Sequence, residues 1–128
     1  MKRINISSGS AWEEKVGYSR AVKVNNVIEV AGTTATDKGK IIGKNDPYLQ
    51  TRYILEKIAD VLNELGSGIE QVIRTRMYVV NIKQWEEIGK AHAEFFSGIK
   101  PAATMVEVKS LIHPDLLVEI EVTALISE

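Results

Sequence analysis

The sequence predicts an α/β domain in which two helices cover one face of a mixed sheet. Three observations predict it. Residues 47–65 and 84–96 place apolar side chains at helical spacing. Residues 20–24, 27–32, 71–80 and 116–126 are β-branched or alternate in polarity with the period of a strand. Each helical segment also carries a single apolar stripe, so each has one face to bury, and the sheet is what it buries against. The 128 residues suffice for one domain spanning 1–128, with one proper core.

Residues 1–17 are polar and rich in small side chains, and are expected to be loop with a short edge strand. RAVKV (20–24) and VIEVAG (27–32) flank Asn25-Asn26, a pair that tolerates positive φ and so predicts a tight hairpin. DKGK (37–40) predicts a second turn, with a short strand after it. Asp46 is a good N-cap for the first long helix, Pro47 suits its first position, and Gly66 stops it. Its stripe is Leu55, Ile58, Leu62 and Leu65.

In QVIRTRMYVV (71–80), Ile73, Thr75, Met77 and Val79 are assigned to one face, and Arg74, Arg76 and Tyr78 to the other. The second long helix, from about Gln84 to Phe96, has the stripe Trp85, Ile88, His92 and Phe95, and is punctuated by Gly98 and Pro101. A strand over 103–109 follows, then a turn at His113-Pro114-Asp115. The last strand covers 116–126, with Val118, Ile120, Val122 and Ala124 facing one way and Glu119, Glu121 and Thr123 the other. The sheet face away from the helices is thus half polar. It is expected to carry Arg74, Arg76, Tyr78, Glu107, Glu119 and Glu121, either solvated or paired against other copies of the chain.

Composition narrows the function. The net charge of −1 gives no electrostatic footprint for nucleic acid or an anionic membrane. With no cysteine, thiolate nucleophiles, disulfides and Cys-ligated zinc are excluded. His92 and His113 lack a metal-ligand pattern, so no metal is expected. The N-terminus has no apolar leader core and no apolar run reaches membrane-spanning length, so a soluble, cytoplasmic protein is expected.

Three segments carry a resemblance: GYSRAVKVNNVIEVAGTTATD, VIRTRMYVVNIKQWEEIGKAHAEFF and PAATMVEVKSLIHPDLLVEIE. Together they make the chain similar to the Rid family, also called YjgF/YER057c/UK114, over nearly its whole length. The resemblance implies a chorismate-mutase-like fold and a homotrimer with an inner β-barrel, outer helices and three clefts between subunits. It implies a small-molecule carboxylate or carbonyl ligand and hydrolysis of enamines or imines, such as 2-aminoacrylate, without a cofactor. A non-catalytic metabolite-binding or regulatory role in the same clefts is the alternative.

The resemblance also assigns residues. Glu119 falls where the family's cleft glutamate holds a water and moves protons. Gly32 falls where a backbone N–H helps bind a carboxylate, with the hydroxyl of Thr33 beside it, and Tyr18 at the aromatic that closes the cleft. The family's deaminating branch reads Pro-Ala-Arg where this chain reads Pro101-Ala102-Ala103, so the arginine fork that grips the substrate carboxylate is absent. Ala31, Met105 and Gly89 also depart from the usual serine, cysteine and asparagine. A lost charged partner costs about 1.5–3 kcal/mol, so small imino acids bind far more weakly unless another cation takes over. Arg76 is the first candidate, with an interface ion pair to Glu119 or Glu121 as its structural alternative. Arg20, just after Tyr18, is the second.

Overall fold

A computed structural model describes residues 1–126. The elements run β1 (Arg3–Ile6), α1 (Ala11–Val16), β2 (Ala21–Val24), β3 (Val27–Thr34), β4 (Thr36–Asp37), β5 (Lys40–Ile41), α2 (Pro47–Glu64), β6 (Val72–Val79), α3 (Trp85–Phe96), β7 (Ala102–Glu107) and β8 (Val118–Leu125). Six strands form one sheet in the order β1-β2-β3-β8-β6-β7, and β4 and β5 form a separate small hairpin. Only β6 and β7 run parallel, joined through α3; the other neighbours are antiparallel.

Local chemistry sets these elements. The Asp46 carboxylate accepts the Leu49 N–H at 2.9 Å and starts α2 with Pro47 in the first turn. Asn25 takes φ 56° in the β2–β3 hairpin, and Lys38 and Gly39 take φ 50° and 81° in the β4–β5 turn, a pair of positive values suited to a tight hairpin. Both long helices lie on one sheet face. Ile54, Leu55, Ile58 and Leu62 of α2 and Ile88 and Phe96 of α3 pack on Ile28, Val30, Met77, Val79, Val118, Ile120 and Val122.

The structure corrects the sequence reading at four places. Residues 11–16 form a helix where loop was expected. Its N-cap is Ser10, whose side chain accepts from Trp12 N–H at 3.2 Å, and Gly17 closes it at φ 88°. Ile73 was placed on the buried face, but the register of β6 against β8 shifts between Val72 and Arg74. That irregularity turns Val72 into the core and leaves Ile73 48% exposed.

Trp85, assigned to the apolar stripe of α3, is 55% exposed. It is the first helical residue, where side chains tilt back beyond the helix start, and the buried stripe begins a turn later at Ile88. Glu107 does not join the half-polar face. The parallel register pairs Ala103 with Thr75, Met105 with Met77 and Glu107 with Val79, so all three share the helix-side face. Glu107 instead accepts the Ile82 N–H at 3.0 Å.

Candidate functional site

The open sheet face carries Arg74, Arg76, Tyr78, Glu119, Glu121 and Thr123 side by side, because β6 and β8 pair Arg76 with Glu121 and Tyr78 with Glu119. Three of its charged groups, Arg74, Arg76 and Glu121, already have partners. Arg76 Nε lies 3.8 Å from a Glu121 oxygen that also accepts the Tyr78 hydroxyl at 2.8 Å, and Arg74 donates to Thr104 Oγ1 at 2.7 Å. Arg76 therefore sits in the ion pair that was its structural alternative, on the face opposite Ala103.

Glu119 is different. It is half-buried, and among the described residues its carboxylate forms no hydrogen bond or ion pair. Burial pushes its carboxyl above the ordinary range; the Arg20 guanidinium draws it back and the Glu121 charge adds to the rise. The carboxylate lies against Gly32. A Cβ there would collide with Glu119 Oε2 and come within 3.0 Å of Cδ and 3.3 Å of Cγ, so only glycine leaves the carboxylate its place. Gly32 sits where the β3–β8 register shifts between Val30 and Thr33, which lets the strand backbone approach Glu119.

Arg20 borders the same spot. It donates from Nη2 to the Gly32 carbonyl at 2.6 Å and lies 5.9 Å from the Tyr18 ring centroid. Tyr18 is placed by α1, with its N–H donating to the Glu13 carbonyl at 3.1 Å. The Glu13 side chain is buried. Burial opposes its charge, but hydrogen bonds from Ser8 and Ser7 outweigh that and hold its carboxyl below the ordinary range. On the other side, Lys57 Nζ donates to Thr34 O at 3.1 Å and Thr36 O at 2.9 Å, fixing the end of β3. Burial, then the charge of Arg20, lowers the Lys57 amine. Gln50, fully buried, bonds Asp115 O at 2.9 Å and the Leu117 N–H at 2.9 Å, and so fixes the entry to β8 just before Glu119.

One chain thus gathers Tyr18, Arg20, Gly32 and Glu119. Thr33 turns to the helix side, where it is buried, and its hydroxyl donates to Ala31 O at 2.8 Å; Thr34, paired with Glu119, takes the open face. Ala103 and Met105 lie on the edge strand β7, on the helix side and with β6 between them and β8. His92 is half-buried, with Nε2 2.9 Å from Thr75 Oγ1 and its ring 4.6 Å from that of Phe96; burial lowers its pKa. His113 Nδ1 accepts the Asp115 N–H in its turn. Among the described residues, no three His, Asp or Glu side chains gather as a metal-holding group, and no helix is long and apolar enough to cross a membrane. The sequence reading ranked Arg76 ahead of Arg20; the structure pairs Arg76 with Glu121 and sets Arg20 on the Gly32 carbonyl at the bulge, which alternation alone does not reveal.

A family model described as Endoribonuclease L-PSP matches residues 9–126. A solved Mycobacterium tuberculosis structure, described as a member of the highly conserved YjgF/YER057c/UK114 family, superposes with a TM-score of 0.89 at 44% identity, covering 98% of this chain and 100% of that one. The chain belongs to the YjgF/YER057c/UK114, or Rid, family. An uncharacterized Streptomyces coelicolor protein is 39% identical over 119 residues, 93% of this chain and 89% of that protein. A RutC family protein of Pyrococcus abyssi is 35% identical over 109 residues, 84% of each chain. The mixed sheet with two long helices on one face is the fold shared with the Mycobacterium tuberculosis structure, and in this chain the short α1 lies at the site.

Proposed function

We propose that this protein hydrolyses an imine or enamine of a small carboxylic acid, in clefts formed between the subunits of a homotrimer, with Glu119 moving the protons. The observation that carries the reading is Glu119 itself: a half-buried carboxyl pushed above its ordinary range, without a hydrogen bond or ion pair among the described residues, and seated where a Cβ on Gly32 would stand. Such a carboxyl holds a proton nearer neutrality and releases it readily, as acid–base work requires. Glu119 gives a proton to the imine nitrogen as water adds to the imine carbon, and the added water's surplus proton returns to the carboxylate. The C–N bond of the resulting carbinolamine breaks, ammonia leaves and a C=O group remains. Substrate and products differ by one water, with no change of oxidation state, so the step as proposed uses no cofactor.

The split of the site supports the assembly. Ala103 and Met105 lie on the helix side of an edge strand, whereas Glu119 faces the other way, so one chain does not bring them together. A second copy presenting its β7 edge to the open face would complete a cleft. A second reading, metabolite binding without turnover, is favoured by Ala103, which stands where the deaminating branch holds its arginine.

The test is ammonia release from 2-aminoacrylate generated in situ. Expected is a slow acceleration by the wild type that Glu119→Gln abolishes while the oligomer persists, and at least a tenfold gain for Ala103→Arg. Absence of release in all three, with a metabolite raising Tm and no product formed, would sink catalysis in favour of binding. A monomer at micromolar concentration would sink the shared cleft.

A further inference from the structure

The cation that borders Gly32 on the open side of β3 is Arg20. Arg74 donates to the Thr104 hydroxyl across the sheet, Arg76 pairs with Glu121, and Lys57 donates to two strand-end carbonyls. Of the five donors of Arg20, one is used, by Nη2 on the Gly32 carbonyl. Its Nε is buried without a partner, and among the described residues no carboxylate lies close enough to pair with it. The two carboxylates whose charge it feels, Glu13 and Glu119, are held away: Glu13 by Ser7 and Ser8, Glu119 against Gly32. A half-buried guanidinium with no counterion is expensive to keep. Its neighbours are a glycine bulge, an aromatic ring and an acid–base carboxylate, which together describe a place for a small anion.

We infer that Arg20 binds the carboxylate of a 2-imino acid or of its 2-oxo acid product, and so is the residue that selects acids over neutral carbonyl compounds. This rests on the proposed chemistry at Glu119 and adds its missing cation. In a 2-imino acid the carboxylate carbon is bonded directly to the reacting carbon. The gripping cation and the proton carrier must therefore sit close together without pairing to each other. Arg20 and Glu119 both border Gly32, the one at its carbonyl and the other where a Cβ would stand, they form no ion pair, and both belong to one chain. The guanidinium fork suits a carboxylate better than an ammonium would, because two parallel N–H donors meet two oxygens. Tyr18, against the same guanidinium, covers the flat face of the ligand.

The experiment measures dissociation constants of pyruvate and phenylpyruvate, each against its methyl ester, for wild type, Arg20→Gln and Arg20→Lys by calorimetry. Expected is that wild type prefers each acid over its ester by about 10- to 100-fold, the worth of a charge-assisted contact. Arg20→Gln is expected to lose that preference, and Arg20→Lys to keep part of it. The ester comparison within the wild type holds whether or not a variant folds. A wild type that does not prefer the acids overturns the inference. So does an Arg20→Gln protein that prefers them as strongly as wild type, which would point to another cation. Either result leaves the Glu119 chemistry to be judged by ammonia release, and loss of that release on Glu119→Gln would uphold it with Arg20 excluded.

Discussion

Replacing Gly32 with alanine tests the site from inside the strand. The new Cβ would overlap Glu119 Oε2 and press on Cδ and Cγ at 3.0 and 3.3 Å. What it meets first is the free end of a flexible side chain, so the backbone holds and the carboxylate swings away. Overpacking costs about 1–3 kcal/mol, and the low end applies where the obstacle can rotate. For a domain of this length about 1 kcal/mol lowers Tm by roughly 4 °C.

The chemistry suffers more, because a misplacement of about 1 Å in a reacting group can cost ~100-fold in rate. The swing also carries the carboxyl toward water, which removes the burial that holds its pKa up. The assay is a carboxyl-carbon NMR titration of Glu119 in wild type and Gly32→Ala, alongside thermal melting. Expected is a lower Glu119 pKa with a Tm loss of a few degrees. An unchanged titration would refute the reasoning, since the carboxylate would then not depend on the missing Cβ.

Two further predictions concern pH. The folded pKa of Glu119 lies above its unfolded value, so the native state is penalised for ionising it. That cost is absent below the unfolded value, near 4.5, and appears as pH rises through the folded pKa. Glu119→Gln is therefore expected to gain stability over wild type at pH 8 relative to pH 4, and equal differences at the two pH values would contradict the burial argument. His92 runs the other way: its folded pKa is depressed below 6.5, so its contribution is present above 6.5 and is lost as pH falls toward the folded value. His92→Phe is expected to remove that acid limb in denaturant melts. It also orphans the buried Thr75 hydroxyl, costing about 1–3 kcal/mol; adding Thr75→Val is expected to recover part of the loss, and no recovery would mean the pair is not coupled.

How far the sequence could be read follows from what each signal encodes. The stripe of α2, the Asn25 turn and the alternation of β8 are local, and each is found where the residues put it. Ser10 followed by Glu13 is an N-terminal helix signal that a polar, small-residue segment obscured; Glu13 spends its side chain on Ser7 and Ser8 rather than back on the cap. The faces of Ile73 and Glu107 depended on a shift in one register and on the pairing of another, and neither leaves a mark in its own strand. Likewise, two arginines on strand-forming segments look alike until one finds Glu121 across the sheet and the other finds the carbonyl at a bulge. Partner choice across the fold is non-local, and a period of two does not carry it.

The position of β8 has a consequence for how the protein comes into being. It follows both β3 and β6 in the chain, yet it lies between them at the middle of the sheet. Until it emerges, β3 and β6 both show open hydrogen-bonding edges and bare apolar faces to whatever is near, the condition in which nascent chains need guarding. Gly32 waits for a Glu119 that arrives 87 residues later. A ribosome stalled before Val118 has therefore not made most of a working protein; it has made two half-sheets without the strand that pairs with both.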